Sequence, residues 1–192
     1  MLLGMLVALS ANAQTLTKIE VSPFAGYLFG GTILSFNFST PLPNIHVADH
    51  LTYGLRLGFN VTPNIEPGIH WSHTHTSVSP PIDNPQSPLT IDFLLAGVAY
   101  NFSSGQTRPY LSAGLGAGFF SGHRINFSNH TLLTGSLALG VKHFFTRNIG
   151  LQLETRGYAS KPDRIIKQTC NPSCAPTAIL NGDVTGGLTV AF

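Results

Sequence analysis

Residues 51–62 read Leu-Thr-Tyr-Gly-Leu-Arg-Leu-Gly-Phe-Asn-Val-Thr, and the period of this stretch decides the fold class. Leu51, Tyr53, Leu55, Leu57, Phe59 and Val61 hold the odd positions, and Thr52, Gly54, Arg56, Gly58, Asn60 and Thr62 hold the even ones. Successive side chains on a strand point to opposite faces, so this is a strand with one apolar and one small, polar face. A tilted strand needs about 9–11 residues to cross a bilayer, and this one is long enough. A soluble sandwich strand is usually shorter and carries more charge on its polar face. A small polar face instead suits the narrow interior of a closed barrel.

The same alternation recurs along the chain. It appears over residues 94–102, 109–119, 136–145, 149–159 and 184–192. Two less regular strands are expected over 19–29 and 65–76, interrupted by Pro23 and Pro67. Proline removes a ladder hydrogen bond, so these two strands are expected to bulge or start late. The count is eight. Short turns at Thr62–Asn64, Ser103–Thr107 and Thr146–Asn148 alternate with long connections over 30–49, 77–88, 122–130 and 161–178. Short turns at one end and long loops at the other are the habit of outer-membrane barrels, and place both termini in the periplasm. The predicted fold is all-β, an eight-stranded antiparallel up-and-down transmembrane β-barrel.

Composition agrees. Charged residues make up 9% of the 192, against roughly 25% in a soluble domain. No apolar run reaches the ~18 residues of a spanning helix. A net charge of +2 is too weak to suggest nucleic acid as a partner. Aromatic residues gather near strand ends, at Tyr27, Phe29, Tyr53, Phe59, Trp71, Tyr100, Phe102, Phe119, Phe145 and Tyr158, as interfacial girdles would. Strand propensity also enriches aromatics, so the girdle supports the barrel without proving it.

Residues 1–13, MLLGMLVALSANA, read as a signal peptide, an apolar core followed by Ala11 and Ala13 in an A-x-A pattern. Cleavage after Ala13 leaves residues 14–192 as the barrel domain. No Lys or Arg precedes the apolar run, so either the start lies upstream or the signal is weak.

The segments YGLRLGFNVTPNIEPG (53–68), LLAGVAYNF (94–102), RPYLSAGLGAG (108–118), LALGVKHFFTRNIGLQLETRGY (137–158) and GGLTVAF (186–192), taken in order, resemble the OmpA-like group of outer-membrane β-barrel proteins. The resemblance implies a small eight-stranded barrel whose terminal aromatic, here Phe192, is read by the barrel-assembly machinery during insertion. It also implies outer-membrane lipid and lipopolysaccharide as surroundings, and a buried ion network in the lumen that can act as a gate. No periplasmic peptidoglycan-binding domain is expected after the barrel.

Arg56, Glu66, Lys142, Glu154 and Arg156 fall on the small polar faces of their strands. Unpaired charges inside a narrow barrel are costly, so these five are expected to pair into a lumen network that plugs the barrel. Cys170 and Cys174, in CNPSC, are expected to form a loop disulfide in an exported protein. In HWSHTH, His73 and His75 share a face and His70 points to the other. Two such histidines chelate a metal only loosely and no third ligand is evident, so they read as surface or girdle residues. No metal and no cofactor is expected. Ser72 with His70 is the only nearby pair resembling a nucleophile and base, and no acid is clearly placed to orient the histidine. The chain is therefore expected not to be an enzyme. The leading functional expectation is a monomeric structural or surface-interaction protein working through its outer loops. The alternatives are a narrow, weakly conducting pore and, further off, a lipid-modifying enzyme.

Overall fold

The computed structural model describes residues 18–34, 46–47, 49–79, 87–122, 130–161 and 178–192. Every element in them is a strand: β1 (Lys18–Leu34), β2 (His46–Val47), β3 (His50–Asn60), β4 (Ile65–Ser79), β5 (Ser87–Asn101), β6 (Thr107–Gly122), β7 (His130–Phe144), β8 (Ile149–Lys161) and β9 (Ala178–Ala191). Eight of these are long. Each pairs antiparallel with the next, and β1 closes the ring onto β9 from Glu20↔Ala191 to Leu34↔Ala178. The two-residue β2 adds a short pairing to the end of β4, at His46↔Ser79 and Val47↔Val78. Closure leaves no bare sheet edge among the long strands.

The barrel has two ends. At one, β3–β4, β5–β6 and β7–β8 are joined by the short segments 61–64, 102–106 and 145–148, and both described termini lie there; we call it the turn end. The other is the loop end. The strands run further towards the loop end than the sequence pattern suggests. β5 begins at Ser87 rather than Leu94, where the alternation is inverted and Leu89, Ile91 and Phe93 face inward against Thr90 and Asp92. β9 begins at Ala178 rather than Val184, where the pattern is interrupted by Asn181 and Gly182.

Neither proline bulges the sheet. Pro23 pairs with Leu55 in a continuous β1–β3 ladder, and the β1–β9 register passes it without a shift. The register shifts between Phe29 and Thr32 instead, at a Gly-Gly pair. Pro67 pairs with Val98, while the β3–β4 ladder ends one residue beyond it at Gly58↔Gly68.

Alternation sorts the side chains as the period demands. On β8 every second residue is buried from Gly150 to Ser160, and the residues between are exposed. The exposed set is apolar: Leu51, Tyr53, Leu115, Leu133, Leu137, Leu139, Leu153 and Phe192 are all more than half exposed. A continuous apolar belt of this extent requires lipid rather than water outside it. Aromatic side chains mark its rims, Phe59, Tyr100, Phe102, Phe145 and Phe192 at the turn end and Tyr27, Phe29, Tyr53, Trp71 and Phe119 towards the loop end. Tyr158 does not join them. It shares parity with Glu154 and Arg156, points inward, and is 1% exposed. Phe192 is 70% exposed, and its backbone N–H donates to Ile19 O at 2.9 Å, seating the last residue beside β1.

Candidate functional site in the barrel lumen

The inward faces converge on a charged cluster in the turn-end half. Strand β4 delivers Glu66, which accepts from Arg56 Nη2 at 3.1 Å and from Lys142 Nζ at 2.7–2.8 Å. Asn101 Nδ2 donates to the same carboxylate at 3.3 Å. Lys142 on β7 also donates to Glu20 on β1 at 2.5 Å. Asn60 Nδ2 donates to the other Glu20 oxygen at 2.7 Å, and Arg108 approaches that oxygen at 3.7 Å.

A third carboxylate, Glu154 on β8, joins the rest. Arg56 Nη1 donates to it at 3.2 Å, Tyr110 O–H at 2.6 Å and Arg156 Nε at 2.9 Å. Arg156 also reaches Ser136 Oγ at 2.9 Å. The Arg56 guanidinium lies 4.7 Å from the Tyr110 ring centroid, adding a cation–π contact. Small residues make the room. A Cβ on Gly140 would strike the Tyr110 ring, and one on Gly58 would strike the Glu66 carboxylate.

All five charged residues singled out from the sequence lie in this cluster. Glu20, Arg108, Asn60, Asn101 and Tyr110 belong to it as well and were not singled out. Glu20 shares inward parity with Ser22, and Tyr110 with Ser112, so parity carried the signal for both. Among the described residues, this cluster sets three carboxylates (Glu20, Glu66, Glu154) against four cationic side chains (Arg56, Arg108, Lys142, Arg156), with each carboxylate held by at least two donors. A void of about 20 Å³ between Arg56, Glu66, Leu95 and Arg156 is room for roughly one water.

Above the charges comes a layer of rings. His70 stacks on Phe24 with centroids 5.0 Å apart, and its Nε2 lies 3.2 Å from Tyr158 Oη. Tyr158 donates to Asp183 Oδ2 at 2.7 Å and stacks on Phe93 at 4.2 Å. Beyond that, Leu28, Leu89, Ile91, Phe93, Leu95, Phe120 and Leu132 form one buried cluster with the Tyr158 ring, among inward wall hydroxyls such as Thr74, Thr76 and the hydrogen-bonded pair Thr134 and Ser160. No sequence pattern singled this cluster out.

The model of the outer membrane protein beta-barrel domain matches residues 1–187. The chain belongs to that family. It is an outer-membrane protein of the small eight-stranded type. Solved barrels share its fold. Neisserial surface protein A is 16% identical with a TM-score of 0.64, covering 91% of this chain and 97% of that one. OprG of Pseudomonas aeruginosa is 9% identical with a TM-score of 0.59, covering 92% and 96%. The attachment invasion locus protein Ail of Yersinia pestis, in complex with the heparin analogue sucrose octasulfate, is 11% identical with a TM-score of 0.52, covering 91% and 99%. No curated protein matches the chain in sequence.

Against this family background the remaining candidates separate. Ser72 and His70 both face the lumen and are buried, 2% and 6% exposed, with the Tyr158–Asp183 pair beside His70. His73 and His75 face outward near the loop-end girdle. The expected signal segment 1–13 with Ala13, and the Cys170 and Cys174 pair, lie outside the described residues.

Proposed function

We propose that this outer-membrane barrel is a closed, structural scaffold that acts through what it presents at its loop end, as a surface-contact protein rather than a conduit. The observation that carries the reading is the lumen filling. Paired charged side chains occupy the turn-end half and an apolar cluster fills much of the other, so an ion would meet two unlike barriers in series. An ion could pass the first only by displacing paired charges, and the second only by desolvation.

The rest of the proposal follows from the layout. Both ends of the described barrel, at Lys18 and Phe192, lie on the side of the short turns, which are periplasmic in barrels of this kind. The loop end, where the strands part for the longest connections in the sequence, would then face the exterior. The barrel-assembly machinery would read the exposed Phe192 ring at the end of β9, and the closed ring needs no second copy, so the barrel would work as a monomer. Ail, which shares the fold, is named for attachment and invasion, and supports a contact role by analogy of scaffold only. Ser72 and His70 are too deep in the lumen to meet a lipid substrate, which argues against the enzymatic reading.

Planar-bilayer recording of the purified barrel tests this. No stable unitary conductance is expected. Steps that recur with the intact protein and change size in Arg156→Ala would establish a pore and overturn the closed-scaffold reading.

A further inference from the structure

The outward face of β4 and β5 carries a cluster of polar side chains on a barrel wall that is mostly apolar. Tyr53, His73, Asp92 and Phe119 are cross-strand neighbours in one row over four strands. Two of them belong to the aromatic girdle, so the row lies at interfacial height, where polar groups meet headgroups and water. His73 Nδ1 bonds Asp92 Oδ1 at 2.6 Å. A carboxylate only accepts, so the proton sits on Nδ1 and the Nε2 lone pair is free in the neutral ring. His75, two residues along the same face, places Nδ1 3.1 Å from Thr90 Oγ1, a hydroxyl that can accept from it and leave the second Nε2 free. The two rings are edge-on with centroids 4.6 Å apart, near enough for one ion to bond both. Tyr53 packs against His73 at 5.2 Å and restricts its motion.

An imidazole whose Nδ1–H is held by a carboxylate or other oxygen, with Nε2 outward, is the arrangement that orients histidine for a metal and raises its basicity. We propose that His73 and His75 form a surface site for one zinc-class divalent ion, with Asp92 and Thr90 as the groups that orient them. No third His, Cys, Asp or Glu completes the set among the described residues. The ion therefore keeps open positions, filled by water. Such a site has the character of an exchangeable site rather than a closed structural one.

Calorimetric titration of the untagged, folded full chain in detergent micelles with zinc chloride reads this directly. One ion per chain is expected. His73→Ala and His75→Gln should each weaken binding at least tenfold. Asp92→Asn should weaken it by about 10-fold or more, acting through the orienting bond alone. His143→Ala, an outward histidine near the turn end, should leave binding unchanged. Circular dichroism confirms that each variant still folds. Absence of binding by the folded chain, or binding that persists in His73→Ala or in His75→Gln, overturns the site. Binding lost in His143→Ala overturns it equally, because the ion would then sit elsewhere.

Discussion

Between the turn end and the His70–Tyr158 layer, the lumen is held by charge; between that layer and the loop end, it is held by rings and aliphatic chains. The two halves fill the same narrow cylinder by opposite means. The charged half specifies partners one by one: Glu66 accepts only where Arg56, Lys142 and Asn101 reach it. The apolar half asks only for volume, and it obtains the volume by setting large rings beside small wall residues. Gly118 shows this, since a Cβ there would lie 3.0 Å from the Phe93 ring. The difference matters for damage. Loss of one partner in the charged half strands other charges in low dielectric, whereas loss of a side chain in the apolar half leaves a cavity that neighbours can partly close.

Glu66→Ala is the sharpest way to break the comparison, and the largest effect is expected there. The substitution leaves Lys142 with Glu20 alone and removes one of two anions from Arg56. Removing one partner of a buried ion pair costs about 3–5 kcal/mol. Equilibrium urea unfolding of the barrel from lipid vesicles measures it. A loss below about 1 kcal/mol would mean that water already solvates these charges, and the closed lumen would fall with it.

Leu95→Ala probes the other half and should cost less, about 2–4 kcal/mol, within the range of aliphatic truncations in packed cores. Leu95 is 2% exposed and sits in the apolar cluster. The same unfolding measurement applies. A cost larger than that of Glu66→Ala would reverse the ranking and make packing, not charge, the main determinant of the lumen.

The two halves also differ in how far they were legible in the sequence. Strict alternation exposed β3, β7 and β8, because one parity there is apolar and the other is small, polar or charged. Arg56, Lys142, Glu154 and Arg156 stood out on those strands for that reason. Glu20 was passed over because Pro23 made β1 look broken, although Ile19 and Val21 flank it with the right parity. Tyr110 was hidden at the start of a run of Ser and Gly, and only the fold shows that its ring lies over Gly140 to reach Glu154. The apolar half was harder to read: Leu89, Ile91 and Phe93 alternate with Thr90 and Asp92, but there the apolar parity faces inward, the reverse of the lipid-facing pattern on β3, β7 and β8. Phe93, Leu94 and Leu95 are apolar on both faces, so a period-2 reading cannot say which points inward. Register decides it: Leu94 faces lipid at 47% exposure, and its two neighbours are buried. What brings residues from β1, β4 and β7 onto one carboxylate or one ammonium is barrel closure, a long-range property that no local pattern carries.

The seam between the halves gives the smallest expected effect, and it has the opposite sign. Asn181 lies on β9 beside this layer, 7% exposed, and neither amide atom has a hydrogen-bond partner among the described residues. His70 Nδ1 and Asp183 Oδ1 share that condition. An unsatisfied buried polar group costs roughly 1–3 kcal/mol, and an apolar group of the same shape removes the cost without leaving a hole. Asn181→Leu keeps the branching of the side chain and extends the apolar cluster, which Ile179 already borders. Unfolding from vesicles should show a gain of about 1 kcal/mol. His70 and Asp183 are less suitable for the same exchange, because each already holds one hydrogen bond to Tyr158 that the exchange would break. A loss of stability in Asn181→Leu would show that ordered water satisfies the amide, and that the boundary between the charged and apolar halves is itself hydrated rather than dry.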